Sequence, residues 1–241
     1  MRERLLDVYR RLLDFYGPQR WWPAGDEPFV VVVGAILTQS AAWKNVEAAL
    51  ARLREAGLLS IDALLRAPDG ELERAVRPSG YFRMKARKLK AFAAMLAERF
   101  DGRLEGLFAL PVEEMRAALL ATYGIGPETA DDIILYAAHK PAFVIDAYTR
   151  RIFGRLGISP VVDTYEGWRS LFTAALPQET ALFNEYHAVI VRHAKVTCRK
   201  EPLCPGCPLL EICPTGQSRP RGSSEGLRRR DTMLTRDRLH R

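Results

Sequence analysis

The chain has 241 residues, 48% of them hydrophobic, enough for a buried core and for one large or two small domains. Its longest apolar stretch, residues 29–37, is too short to span a bilayer, and Arg2, Glu3 and Arg4 open an amphipathic pattern instead of the apolar core of a signal peptide; a cytoplasmic, nucleoid-associated protein is expected. The formal net charge of +7 suits a polyanionic partner, but eight Arg against Glu225, Asp231 and Asp237 place +5 of it in residues 217–241, so charge alone does not establish nucleic-acid binding.

Helical periodicity dominates the rest. Leu5, Leu6, Tyr9, Leu12, Leu13 and Tyr16 form an apolar stripe closed by Gly17-Pro18. Val30–Val33 is rich in β-branched residues, but no similar strand is there to pair with it, and it reads as a buried helix. Val46, Leu50 and Leu53 mark a helix over 41–56, Ser60 caps the next, and Asp69-Gly70 and Pro78-Ser79-Gly80 read as turns. A helix over 84–100 turns Leu89, Phe92, Met95 and Leu96 inward. Its cationic residues Arg83, Lys85, Arg87, Lys88 and Lys90 read as a solvated face. Further helices are expected from Pro111 to Ala121 and over 127–138, 147–157, 164–176 and 178–197. From 214 to 241 the composition turns to Pro, Gly, Ser and Arg, which predicts a disordered tail.

Between two of these helices lies Thr122-Tyr123-Gly124-Ile125-Gly126-Pro127-Glu128-Thr129. A Gly-x-Gly turn permits a close backbone approach, and the unpaired amides of a helix begun at Pro127 can hold a DNA phosphate without reading sequence. The same residues also serve an ordinary helix–helix connection. Eighteen residues beyond Glu128, Val144-Ile145-Asp146 ends where a helix begins, a position at which aspartate is also a common cap. All four cysteines, Cys198, Cys204, Cys207 and Cys213, fall within sixteen residues. In a reducing cytosol that clustering points to metal ligation over disulfides, and four thiolates suit either a [4Fe-4S] cluster or structural zinc.

Together, Leu37-Thr38-Gln39, Gly124-Ile125-Gly126, Val144-Ile145-Asp146 and the cysteine run resemble, in order and spacing, the endonuclease III-like (helix-hairpin-helix, HhH-GPD) superfamily of DNA glycosylases over about residues 20–213. The resemblance implies an all-α fold of two helical domains with a cleft between them. A six-helix barrel with the helix-hairpin-helix would span 20–140. A terminal helical iron–sulfur domain would be built from 1–19 and 141–213.

The resemblance further implies a monomer acting on double-stranded DNA that contains a damaged base, which must be everted from the stack before its bond to deoxyribose can break. Asp146 would be the essential carboxylate. Gln39 would fill the vacated space in the duplex, although a surface or helix-capping role suits a glutamine equally. Gly124, Gly126 and Thr129 of the hairpin, with Arg199 and Lys200 on the cysteine loop, would meet the backbone of the DNA. The cysteines would hold a [4Fe-4S] cluster, with zinc as the alternative; the first gap is five residues here and six in the family.

Two further departures bear on the chemistry. Where bifunctional members carry a Schiff-base lysine, this chain has Glu128; a carboxylate cannot form an imine, so the expectation is a hydrolytic enzyme without lyase activity. Lys140 and Lys195 are the alternative amines, and Glu128 itself is either a second acid in the reaction or a solvated first-turn residue. The pattern of Trp22-Pro23, Leu37-Thr38-Gln39 and Trp43 is closest to the endonuclease III-like 3-methyladenine glycosylases, although that group keeps a lysine at the Glu128 position and lacks the cysteine cluster, and this chain departs on both counts. By that likeness Trp22 and Trp43 would sandwich an alkylated, positively charged purine, unless both are core tryptophans. Mismatched uracil or thymine, other deaminated or oxidised bases, a bifunctional lyase and a silent damage-binding protein remain the other readings.

Overall fold

The computed structural model describes residues 1–21 and 27–219, and these are helical with no strand among them. The helices are α1 (Arg2–Tyr16), α2 (Pro28–Thr38), α3 (Trp43–Glu55), α4 (Ile61–Arg66), α5 (Asp69–Val76), α6 (Phe82–Phe100), α7 (Leu104–Ala109), α8 (Val112–Leu120), α9 (Pro127–Asp132), α10 (Ala147–Arg155), α11 (Tyr165–Thr173), α12 (Thr180–Val196) and α13 (Pro214–Gln217). A 3₁₀ turn over Arg77–Ser79 separates α5 from α6, and α9 continues into a π-helical turn over Ile133–Ala137.

The Val30–Val33 run lies in α2, with every residue from Val30 to Leu37 buried. A helix that is apolar all round must be enclosed on every side, and here α3, α6, α9 and the π turn enclose it, so packing outweighs the β preference of valine. Each buried valine contributes roughly 1.5–3 kcal/mol. Around this axis α3 packs on α5, while α4 and α5 pack on α6. At the other end of the chain α12 lies against α1, α10 and the π turn, so the N-terminal helix joins the C-terminal ones. Tyr186 Oη fixes that join by donating to the Leu5 carbonyl at 2.6 Å. No helix among the described residues is long and apolar enough to cross a membrane.

Three sequence expectations are corrected. Asp69-Gly70 is not a free turn but the first turn of α5: Pro68 occupies the cap, and Asp69 and Glu71 suit the positive end of the helix dipole. The basic residues of α6 are not one solvated face. Lys85 is 2% exposed, and its Nζ donates to the carbonyls of Leu37 (2.8 Å) and Ser79 (2.6 Å), pinning α6 under the end of α2. The chain beyond 213 does not lose its order at once. Pro214 starts α13, Gly216 N donates to Cys213 Sγ at 3.3 Å, and Thr215 Oγ1 donates to the Arg155 carbonyl at 2.9 Å. The remainder of the Arg-rich tail, 220–241, lies outside the described residues.

Candidate active site and cysteine pocket

The hairpin between α8 and α9 is built from the bottom by short-range bonds. Thr122 Oγ1 donates to the Ala118 carbonyl (3.0 Å), and Ile125 N donates to the Thr122 carbonyl (3.1 Å). The two glycines differ. Gly124 has φ +81°, and a Cβ there would collide with the aliphatic chain of Lys88, so both its dihedral and its neighbour require glycine. Gly126 is an extended N-cap with φ −91°, and a Cβ would meet nothing within 4 Å.

Gln39, the residue closing α2, binds this turn from the side. Its Nε2 donates to the Gly124 carbonyl (3.2 Å) and to Thr129 Oγ1 (3.0 Å), and its Oε1 accepts a short hydrogen bond from Lys88 Nζ. Beneath the hairpin, Asp131 is fully buried. It is held by Arg116 Nε at 2.8 Å and by Tyr165 Oη at 2.8 Å, with Arg169 at 3.8 Å. The hairpin helix is thus anchored through its inner carboxylate while its outer face stays available.

Glu128, exposed on α9, is followed at four-residue intervals by the half-buried Asp132 and, in the π continuation, by the buried Tyr136. Opposite stands Asp146, at the end of the buried segment Ala142–Ile145 and the start of α10. Asp146 serves as a cap and faces the site at once. Its Oδ1 accepts from Thr149 N (2.7 Å) and Thr149 Oγ1 (2.9 Å), leaving Oδ2 directed at His187 Nε2, 3.6 Å away. The Asp146 side chain is 14% exposed. Burial raises its pKa, but hydrogen bonding and charge from His187 and the bonds from Thr149 outweigh that, and its carboxyl lies below the ordinary aspartate value.

The neighbouring acids move the other way. Burial, then the charge of Asp146, pushes Glu128 up, with His187 and Arg150 opposing. Burial, then Glu128, Asp146 and Asp131, pushes Asp132 well up. The three shifts separate adjacent carboxyls: Asp146 is the readiest of them to ionise, and Asp132 is pushed well toward holding its proton.

Other predicted residues fall as follows. Trp22 lies outside the described residues. Trp43 starts α3 and packs against the core. The tryptophan found beside the acids is Trp21, with ring centroids 6.0 Å from His187 and 6.1 Å from Tyr136. Arg199 and Lys200 are exposed on the cysteine loop, and their carbonyls accept from Arg155 at 2.7 and 2.8 Å. A concavity between α8 and α11, lined by Glu113, Arg169 and Gln178 among others, lies apart from Asp146. From sequence, Lys88 reads only as part of a solvated face, and Asp132, Tyr136 and His187 are not singled out; the four-residue spacing from Glu128 signals Asp132 and Tyr136 alone.

The four cysteines line a single small pocket, with Arg155, His193 and apolar side chains completing its wall. Arg155 Nη1 donates to Cys198 Sγ at 3.2 Å, and Gly216 N donates to Cys213 Sγ at 3.3 Å, so N–H donors already aim at sulfur. Burial, and proximity to the other sulfurs, pushes Cys207 up to about 11 and raises Cys213. No disulfide links the four. Four convergent thiols with N–H donors at the sulfurs fit a thiolate-bound metal centre. Among the described residues no group of three or more His, Cys, Asp or Glu is set to hold a single metal ion.

Comparison with known proteins agrees with this architecture. The sequence model described as the HhH-GPD superfamily base excision DNA repair protein matches residues 33–178. A putative DNA repair glycosylase of Methanocaldococcus jannaschii is 41% identical over 207 residues, covering 85% of this chain and 93% of that protein. Endonuclease III of Sulfolobus acidocaldarius is 28% identical over 181 residues, covering 74% of this chain and 78% of its own length. In shape, the chain overlays an endonuclease III in non-covalent complex with DNA at a TM-score of 0.77 with 23% identity, covering 90% of this chain and 97% of that one.

Proposed function

The chain belongs to the HhH-GPD superfamily of base excision DNA repair glycosylases, and within it we propose a monofunctional enzyme that removes an alkylated purine such as 3-methyladenine by hydrolysis, leaving an abasic site. The observation that carries this is Glu128, set on the outer face of the hairpin helix within electrostatic reach of Asp146, where lyase members hold their amine. A carboxylate there cannot become an imine. The two alternative lysines are placed elsewhere: Lys140 Nζ donates to the Leu110 carbonyl at 2.5 Å, and Lys195 is exposed near the end of α12.

In the proposed reaction the hairpin amides of Gly124 and Gly126 and the Thr129 hydroxyl grip the strand bearing the lesion, with Arg199 and Lys200 meeting phosphates nearby. Gln39 gives up its bonds to the hairpin and enters the space left by the everted nucleotide. As the glycosidic bond lengthens, positive charge builds on the sugar, and ionised Asp146 stabilises it and orients the attacking water. Glu128 would hold that water. An alkylated purine is itself cationic, and an ionised Asp146 would attract a cation in preference to a neutral base. The aromatic partners of that base would be Trp22 and Trp43, with Trp21 as a further candidate beside His187 and Tyr136.

The barrel of residues 20–140, and the unit made of 1–19 and 141–213, would flank the DNA as a monomer. Cys198, Cys204, Cys207 and Cys213 would hold a [4Fe-4S] cluster, which organises the loop carrying Arg199 and Lys200. Visible absorption and iron content of the purified protein separate that assignment from zinc.

The test is a panel of duplexes bearing alkylated, deaminated, mismatched and oxidised bases. Release of alkylpurine with the abasic strand left uncut supports the reading. Strand cleavage with a borohydride-trapped adduct, release of another base class alone, or tight binding without release each contradicts it.

A further inference from the structure

Behind Asp146 stands a buried group that the hydrolytic reading does not use. His187, on α12, has a side chain 6% exposed; its Nε2 pairs with Asp146 Oδ2 at 3.6 Å and has no other partner among the described residues. The other ring nitrogen is taken: Tyr136 Oη lies 2.6 Å from Nδ1. A buried N–H with one carboxylate as its only partner favours the ionised form of that carboxylate.

The proton arrangement follows from electrostatics. If Nε2 carried a bare lone pair, it would face an anion. If Tyr136 donates to Nδ1, the neutral ring holds its hydrogen on Nε2, and a cationic ring holds hydrogens on both nitrogens. In either case an N–H faces Asp146.

We propose that His187, oriented by Tyr136, is a positioning residue that holds Asp146 ionised and turned toward the sugar of the everted nucleotide. The assignment rests on Asp146 being the reacting carboxylate. Three elements meet there. The hairpin helix brings Glu128, Asp132 and Tyr136, α10 brings Asp146 with Arg150 beyond it, and α12 brings His187, over which Trp21 lies at a centroid distance of 6.0 Å. Glu128 and Asp132 are acids beside an acid. Without a counterweight burial would drive Asp146 toward protonation, and a protonated carboxyl neither stabilises a sugar cation nor accepts a proton from water. His187 is that counterweight, delivered from α12. Thr149 fixes the remaining oxygen, so the carboxylate plane is set by two elements at once.

The test reads Asp146 directly. Full-length protein is labelled with ¹³C at aspartate carboxyls, and the signal missing from Asp146→Asn is followed against pH. In the wild type it titrates below an ordinary aspartate. In His187→Phe, which keeps the ring and removes the N–H, the midpoint is expected to move up, and base release should fall most at the acid end of its pH profile. An unmoved midpoint in a His187→Phe protein that melts cooperatively overturns the proposal. Should that variant fail to fold, Tyr136→Phe carries the test, since it leaves His187 in place but frees Nδ1; an upward midpoint supports the proposal, and an unchanged one overturns it. Retention of full base release by Asp146→Asn is a different failure: it removes the hydrolytic reading itself, whatever the titration shows.

Discussion

Lys88 packs its aliphatic chain against Gly124, so closely that the hairpin has no room for a side chain at that position, and its ammonium continues past the glycine to Gln39. The two glycines of the turn therefore answer differently to substitution. Gly124→Ala meets both the left-handed dihedral and the lysine, and should cost about 1–2 kcal/mol with weakened duplex binding. Gly126→Ala, at an extended and open position, loses only the N-cap preference for glycine over alanine and should cost less, about 0.5 kcal/mol. Thermal melts of the pair check this, and equal losses would refute the geometry.

Asp132 gives a stability prediction with a definite sign. Its carboxyl is raised well above the ordinary value by burial foremost, then by Glu128, Asp146 and Asp131. An acid with a higher pKa folded than unfolded holds its proton preferentially in the folded state. The protein therefore loses stability as pH rises from the ordinary aspartate value through the raised one. Asp132→Asn has no such proton to lose. The variant should match the wild type at the acid end and melt higher near neutral pH, whereas a gap that shrinks as pH rises would contradict the raised value.

Arg116 is 8% exposed at its side chain and faces Asp131 at 0%. Its removal leaves a buried carboxylate with Tyr165 and a distant Arg169 as remaining partners. Arg116→Ala should cost about 3 kcal/mol or more, measured by denaturant titration. A loss below about 1 kcal/mol would mean that Asp131 is neutral in the folded protein.

Glu128→Lys restores an amine to the hairpin helix beside Asp146. The expected outcome is a borohydride-trapped covalent adduct with an abasic duplex, seen on a denaturing gel, where the wild type gives none. A wild-type adduct of equal yield would place the nucleophile on another residue.

Much of this was legible in the residues. The apolar stripes of α1 and α6, the Ser60 cap, and the order of hairpin, carboxylate and cysteines all appear in the structure where periodicity and spacing put them. What escaped has local causes. Helix α7 is six residues long with Gly106 inside it, shorter than the window in which a 3.6-residue period declares itself. The Asp69-Gly70 pair signals a turn until Pro68 converts it into a helix start. Lys85 and Lys88 look like surface charge because a sequence shows their spacing but not the open end of α2 above them. His187 meets Asp146 only because α12 packs on α10, a tertiary contact that no local pattern announces.

Base release by Asp146→Asn tests the account most directly, on an alkylpurine-containing duplex under single-turnover conditions with binding measured alongside. The substitution keeps the side-chain oxygen that accepts from Thr149 and removes the charge. The prediction is duplex affinity close to wild type with release slowed by about a hundredfold or more. Release at the wild-type rate would contradict it, because no anion at residue 146 would then be needed to break the bond.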